Sequence, residues 1–80
     1  MNDIETRVAR CFSNVFPDLP PEELASASAA SMAGWDSVAQ VTLLSSLSEE
    51  FGFDFEIEDF EELVSYSLIL EYLKKRFPDA

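Results

Sequence analysis

A serine that opens a helix is the residue of this 80-residue chain best placed to do chemistry. Gly34-Trp35-Asp36-Ser37-Val38 closes a weakly patterned stretch and starts the clearest helical periodicity in the sequence. Asp36 or Ser37 is the expected N-cap, because a side-chain oxygen there satisfies an orphan N–H of the first turn. By itself the pair is an ordinary cap. Its context allows a second use: a helix N-terminus favours negative charge, so a phosphate esterified to Ser37 would sit in a favourable field. Other chemistries are poorly supplied. The chain has no His, hence no Ser-His-Asp triad, no histidine general base and no imidazole ligand. Its 16 Asp and Glu stand mostly at polar helix and loop positions, where a solvated face is expected rather than an acid/base pair. Asp54-Phe55-Glu56-Ile57-Glu58-Asp59 starts like a calcium loop, but Asp59 stands where that loop needs Gly and Ser65 where it needs a bidentate Glu. Cys11, the single Cys, falls in an apolar stripe and reads as a core residue; it makes no intrachain disulfide and no zinc cluster. These residues point away from an enzyme and away from a metal site.

Charge and composition narrow the partners. The formal net charge is −11, which argues against nucleic acid and for partners with basic surfaces. Apolar residues make up 48% of the chain, enough for a core, and the length fits a single domain over 1–80. The start, Met1-Asn2-Asp3-Ile4-Glu5, is wrong for a signal peptide, and no apolar run reaches membrane-spanning length. A freestanding, monomeric, cytoplasmic protein without membrane insertion is expected.

Four helices must position Ser37. Ile4, Val8, Cys11, Phe12 and Val15 form a stripe on a first helix, capped by Asn2 or Asp3 and running to about Phe16. Pro17 stops it. Residues 17–35 make a long connection with a short helical turn from Pro21, anchored by Leu19, Leu24 and Met32. The second helix runs from Asp36 or Ser37 to about Phe51 and ends at Gly52. Leu44, Leu47 and Phe51 form its inner ridge, with Leu43 beside it; Val38 and Val41 form a second ridge, a candidate contact surface. Phe53 to Ile57 alternates like a strand, but a lone strand has no partner here, so a loop dropping Phe53, Phe55 and Ile57 into the core is expected. A short third helix spans Glu58 to Val64. A last helix, capped by Ser65, runs from Tyr66 to about Phe77 with Lys74, Lys75 and Arg76 in its final turn. The fold class is all-α: a small four-helix bundle of three main helices and one short one, with a long loop between helices 1 and 2.

Asp36-Ser37-Val38, the helix closing in Glu49-Glu50-Phe51-Gly52, the Phe53–Ile57 segment, the acidic third helix and Leu70-Glu71-Tyr72-Leu73-Lys74-Lys75 together resemble the acyl carrier proteins, over nearly the whole chain. The resemblance implies a covalent 4′-phosphopantetheine on Ser37, donated from coenzyme A by a magnesium-dependent phosphopantetheinyl transferase. It implies a cargo held as a thioester on the arm's thiol and passed between enzymes with basic docking patches, the carrier itself catalysing nothing. It implies partner contacts at Asp36, Val38, Val41, Glu49, Glu58, Asp59 and Glu62, with Glu61 beside them. Some members keep cargo between their helices; here Leu43, Leu47, Phe51, Phe55, Ile57 and Leu63 either line such a space or fill a core.

The chain departs from the pattern on the exposed face of the second helix. Ala39, Gln40, Thr42, Ser45, Ser46 and Ser48 stand where carboxylates are usual, and the charge moves toward residues 54–62. Weaker docking to fatty-acid synthase enzymes follows, and a dedicated carrier of fatty-acid, polyketide or other specialised biosynthesis. Trp35, in place of a smaller residue, walls the attachment site or plugs the loop onto the core, the second being favoured. Two alternatives stand beside this reading: an aminoacyl or peptidyl carrier, and an unmodified acidic interaction module in which Ser37 is only an N-cap worth about 1 kcal/mol.

Overall fold

Each apolar periodicity becomes a helix that turns its stripe inward. In the computed structural model, which describes residues 3–78, α1 is Asp3–Val15, α2 is Ser37–Phe51, α3 is Ile57–Glu62 and α4 is Tyr66–Arg76. Helix α1 packs against α2 and α4. Its stripe of Ile4, Val8, Cys11 and Phe12 is buried with Leu43, Leu44 and Leu47 of α2 and Ile69 and Leu73 of α4. Each such side chain, fully buried, is worth roughly 1.5–3 kcal/mol, so these stripes set the bundle's geometry. The cap expected at Asn2 lies outside the described residues, as does the side chain of Asp3.

The ends of the elements follow local rules. Gly52 closes α2 in the left-handed conformation at φ 71°, donating its N–H to Ser48 O. Ser65 caps α4 by accepting from Leu68 N at 3.1 Å. Lys74, Lys75 and Arg76 occupy the last turn of α4, where cations complement the helix dipole. Arg7 reaches from α1 to the end of α2: Nε donates to Glu50 Oε2 and Nη2 to Glu50 O, each at 2.7 Å, with the guanidinium 4.3 Å from the Phe51 ring centroid.

The connection between α1 and α2 is more ordered than its sequence suggests. A 3₁₀ helix spans Pro21–Ser26. Ala29 N then donates to Val64 O at 2.9 Å and Tyr66 N to Ala27 O at 3.0 Å, an antiparallel bridge that ties the connection to the α3–α4 junction. Leu19, Leu24 and Met32 pack against the core as half-buried anchors, and Ala27 and Trp35 are buried outright. Phe12 meets Trp35 edge-on at 5.5 Å between centroids, and Phe16 lies 5.4 Å from it.

Between α2 and α3 the alternating segment is a loop, with no strand among the described residues. Phe53 and Phe55 pack half-buried against each other and against Tyr72. Ile57 differs from expectation: it is 83% exposed. The reason is that it is the first residue of α3. Glu56 and Asp59 form a reciprocal capping box across that start, each side chain accepting from the other's backbone, which fixes the turn with Ile57 outward.

Candidate functional site

Ser37 is the first residue of the 15-residue α2 and is exposed. The cap is Asp36, whose Oδ1 accepts from Ala39 N at 2.9 Å while its backbone is extended at φ −97° and ψ −171°. The choice left open by sequence is thereby resolved, and it frees the serine: among the described residues nothing hydrogen-bonds Ser37 Oγ. The hydroxyl projects at the positive end of a long helix with no structural duty of its own.

The wall behind it is built by one buried amide. Gln40, one turn into α2, is 6% exposed. Its Oε1 accepts from Trp35 Nε1 at 2.6 Å, and its Nε2 donates to Leu63 O at 2.8 Å and Phe60 O at 3.2 Å. The amide thus joins the residue before the cap, α2 and the end of α3. Ala29, Trp35, Asp36, Ser37, Gln40, Val41, Phe60 and Val64 line an open groove of about 280 Å³ beside the serine. Trp35 does both things weighed for it: it plugs the connection onto Phe12 and Phe16, and it walls the groove. Val38 and Val41, at 73% and 53% exposure, follow Ser37 along the outer side of α2.

The candidate partner residues divide. Asp36, Val38, Val41, Glu49, Glu58 and Glu62 are exposed, as is Glu61. Asp59 is not. It is 8% exposed, and its Oδ2 accepts from Glu56 N at 2.8 Å and from Tyr72 Oη at 3.1 Å. Its carboxylate caps α3 and holds α4, so it is removed from the docking acids. Gln40 is likewise removed from the exposed face of α2, and Ile57 joins the exposed apolar residues. The six residues considered for a cargo space do not share one: Leu43 and Leu47 are wholly buried core, whereas Ile57 is at the surface. Cys11 is buried, and desolvation first, then the charge of Glu50, pushes its thiol above the usual 9.0. Among the described residues no three acidic or Cys side chains are placed to hold a metal ion.

A helical bundle that offers one unengaged serine at a helix start, beside a groove, has the features of a carrier domain. Residues 6–73 match the family of the phosphopantetheine attachment site, and the chain belongs to that family. Its cofactor is covalent 4′-phosphopantetheine. No curated protein matches the chain, and no solved structure does. The residues present fit the group: a free hydroxyl, the dipole of a 15-residue helix for the phosphodiester, and an adjoining groove. The arm supplies a thiol on which cargo is carried; the protein supplies attachment and presentation.

Gln40 is the residue that sequence reasoning passed over. Its signal was present: Gln40, Leu43, Leu44 and Leu47 stand at i, i+3, i+4 and i+7, so the inner ridge of α2 begins with a polar residue. A polar residue on a buried stripe requires partners.

Proposed function

We propose that Ser37 is the attachment residue and that the chain, one domain over residues 1–80, is an acyl carrier of a specialised biosynthetic pathway. The observation that carries this is the division of labour at the start of α2: Asp36 caps, and Ser37 Oγ has no hydrogen-bond partner among the described residues. Ser37 Oγ is the acceptor. Its bond to phosphorus forms as the pyrophosphate bond of coenzyme A breaks and adenosine 3′,5′-bisphosphate leaves. The proton goes to the transferase, since this chain has no His and, among the described residues, no carboxylate is hydrogen-bonded to Ser37 Oγ. The carrier performs no further chemistry.

Docking uses Val38 and Val41 as the apolar centre, with Asp36, Glu49, Glu58 and Glu62 as acids that steer basic partner patches. The exposed face of α2 carries Thr42 and Ser45 between its ends, which favours partners dedicated to this carrier over general fatty-acid enzymes. The protein works as a cytoplasmic monomer; no helix of the described residues is long and apolar enough to cross a membrane.

Intact mass after incubation with coenzyme A, Mg²⁺ and a broad-specificity transferase tests the site. One added phosphopantetheine on the wild type and none on Ser37→Ala is expected; equal gain on both would overturn it. The mass of the cargo ejected with the arm from protein purified from its native cell tests the class: an acyl group supports the proposal, an aminoacyl or peptidyl group replaces it.

A further inference from the structure

The groove beside Ser37 has a polar floor, and that floor limits what the carrier can cover. An apolar chain tethered at Ser37 gains by leaving water, each buried methylene multiplying the favourable equilibrium about fourfold. The nearest apolar cover is the groove between α2 and α3, walled by Val41, Phe60, Val64 and Trp35. Gln40 is the buried polar member of that lining, and on the same face of α2 it is followed by Leu43, Leu44 and Leu47. The Gln40 amide is fully engaged there: Trp35 Nε1 donates to it at 2.6 Å, and it donates to Leu63 O and Phe60 O. Displacing it leaves a buried indole N–H and two carbonyls without partners, a loss an apolar chain cannot make good. Leu43, Leu44 and Leu47 are themselves fully buried, so among the described residues the inner ridge of α2 is packed core.

The size of the groove agrees. A closed cavity of roughly 150 Å³ accommodates benzene, so about 280 Å³ takes on the order of ten non-hydrogen atoms. That is less than the arm alone, before any cargo.

We infer that Gln40 is a specificity-determining residue: its amide bars the interior, so cover for the cargo ends at the groove and the carrier suits short acyl groups of up to about eight carbons. The inference rests on Ser37 bearing the arm.

The test loads wild-type protein with acetyl-, butyryl-, octanoyl- and dodecanoyl-phosphopantetheine, using the corresponding coenzyme A thioesters and the broad-specificity transferase. Thermal midpoint and the emission of Trp35, the sole Trp, are read for each. The midpoint is expected to level off once the chain fills the groove: octanoyl and dodecanoyl forms agree within about 1 °C and give the same emission. Gln40→Leu, compared with its own unacylated form, is expected to be stabilised by dodecanoyl and to show an emission shift. A wild-type midpoint that keeps climbing from octanoyl to dodecanoyl, with a further Trp35 shift, overturns the inference while leaving Ser37 as the attachment residue. Failure of any thioester to load on folded wild type overturns the attachment reading instead. If Gln40→Leu does not fold, the wild-type series decides alone.

Discussion

Replacing Asp36 and Ser37 in turn separates structure from function at adjacent residues. Asp36 Oδ1 accepts from Ala39 N at 2.9 Å, and Ser37 Oγ accepts from nothing described. Asp36→Ala therefore removes a cap, which costs about 1 kcal/mol, and a carboxylate at the positive end of α2, which adds a few tenths. Relief of repulsion in a chain of net charge −11 offsets part of the second contribution, so about 1 kcal/mol remains. For a domain of this size that lowers the thermal midpoint by about 4–8 °C. Asp36→Asn keeps a capping oxygen and should stay within a few tenths of a kcal/mol of wild type. Ser37→Ala removes an exposed hydroxyl and inserts the best helix former, so it should be neutral or up to about 0.5 kcal/mol stabilising. Urea unfolding followed by far-UV circular dichroism reads all three, with unchanged m-values as the check on two-state behaviour. A loss of 1 kcal/mol or more in Ser37→Ala, with Asp36→Ala neutral, would refute the assignment and restore the serine as a mere cap.

Four further outcomes follow from the geometry. Gly52→Ala forces a side chain to φ 71° with no neighbour in the way, so it should cost about 1–2 kcal/mol of backbone strain by urea unfolding, and Gly52→Asn less. Asp59→Ala leaves Glu56 N–H and Tyr72 O–H unpaired and should cost about 1–3 kcal/mol, whereas Glu58→Ala and Glu62→Ala should stay within about 0.5 kcal/mol and instead weaken binding to a basic partner in titration calorimetry. Tyr66 and Tyr72 are both held above the usual 10.0, each by burial first, so their neutral forms stabilise the fold. That contribution is whole below pH 10 and is lost as pH rises beyond it; phenolate absorbance should therefore appear later in folded than in urea-unfolded protein. With net charge −11, the thermal midpoint should rise from low to high salt as the Debye length falls from about 30 Å at 0.01 M to about 3 Å at 1 M; a flat response would remove self-repulsion as a determinant of stability.

The sequence made the bundle legible because its signals were redundant. Ile4, Val8, Cys11 and Phe12 on α1, and Ile69 and Leu73 on α4, recur at helical spacing and are buried as that spacing requires. Gly52, Ser65 and Lys74 to Arg76 marked element ends by rules that depend on a few neighbouring residues. Ser37 was legible as the start of α2 but not as an unengaged hydroxyl, because Asp36 and Ser37 are both good caps and only backbone direction chooses between them. Two of the misreadings share a cause. Asp59 and Ile57 belong to a helix of six residues, too short for periodicity to assign a face, and the reciprocal bonds of Glu56 and Asp59 turned the acid in and the isoleucine out. Gln40 was grouped by polarity with the exposed face, although its spacing placed it on the inner one. The bridge from Ala27 and Ala29 to Val64 and Tyr66 joins segments far apart in sequence, and no local rule announces it.

Fragment mass spectra of peptides from the transferase-loaded protein locate the arm residue by residue. Helix α2 contains Thr42, Ser45, Ser46 and Ser48 as well as Ser37, so the fragments distinguish five hydroxyls on one element. Phosphopantetheine is expected on Ser37 alone, with an unmodified peptide from Ser37→Ala that remains folded. An arm found on another hydroxyl, or retained in Ser37→Ala, would contradict that assignment.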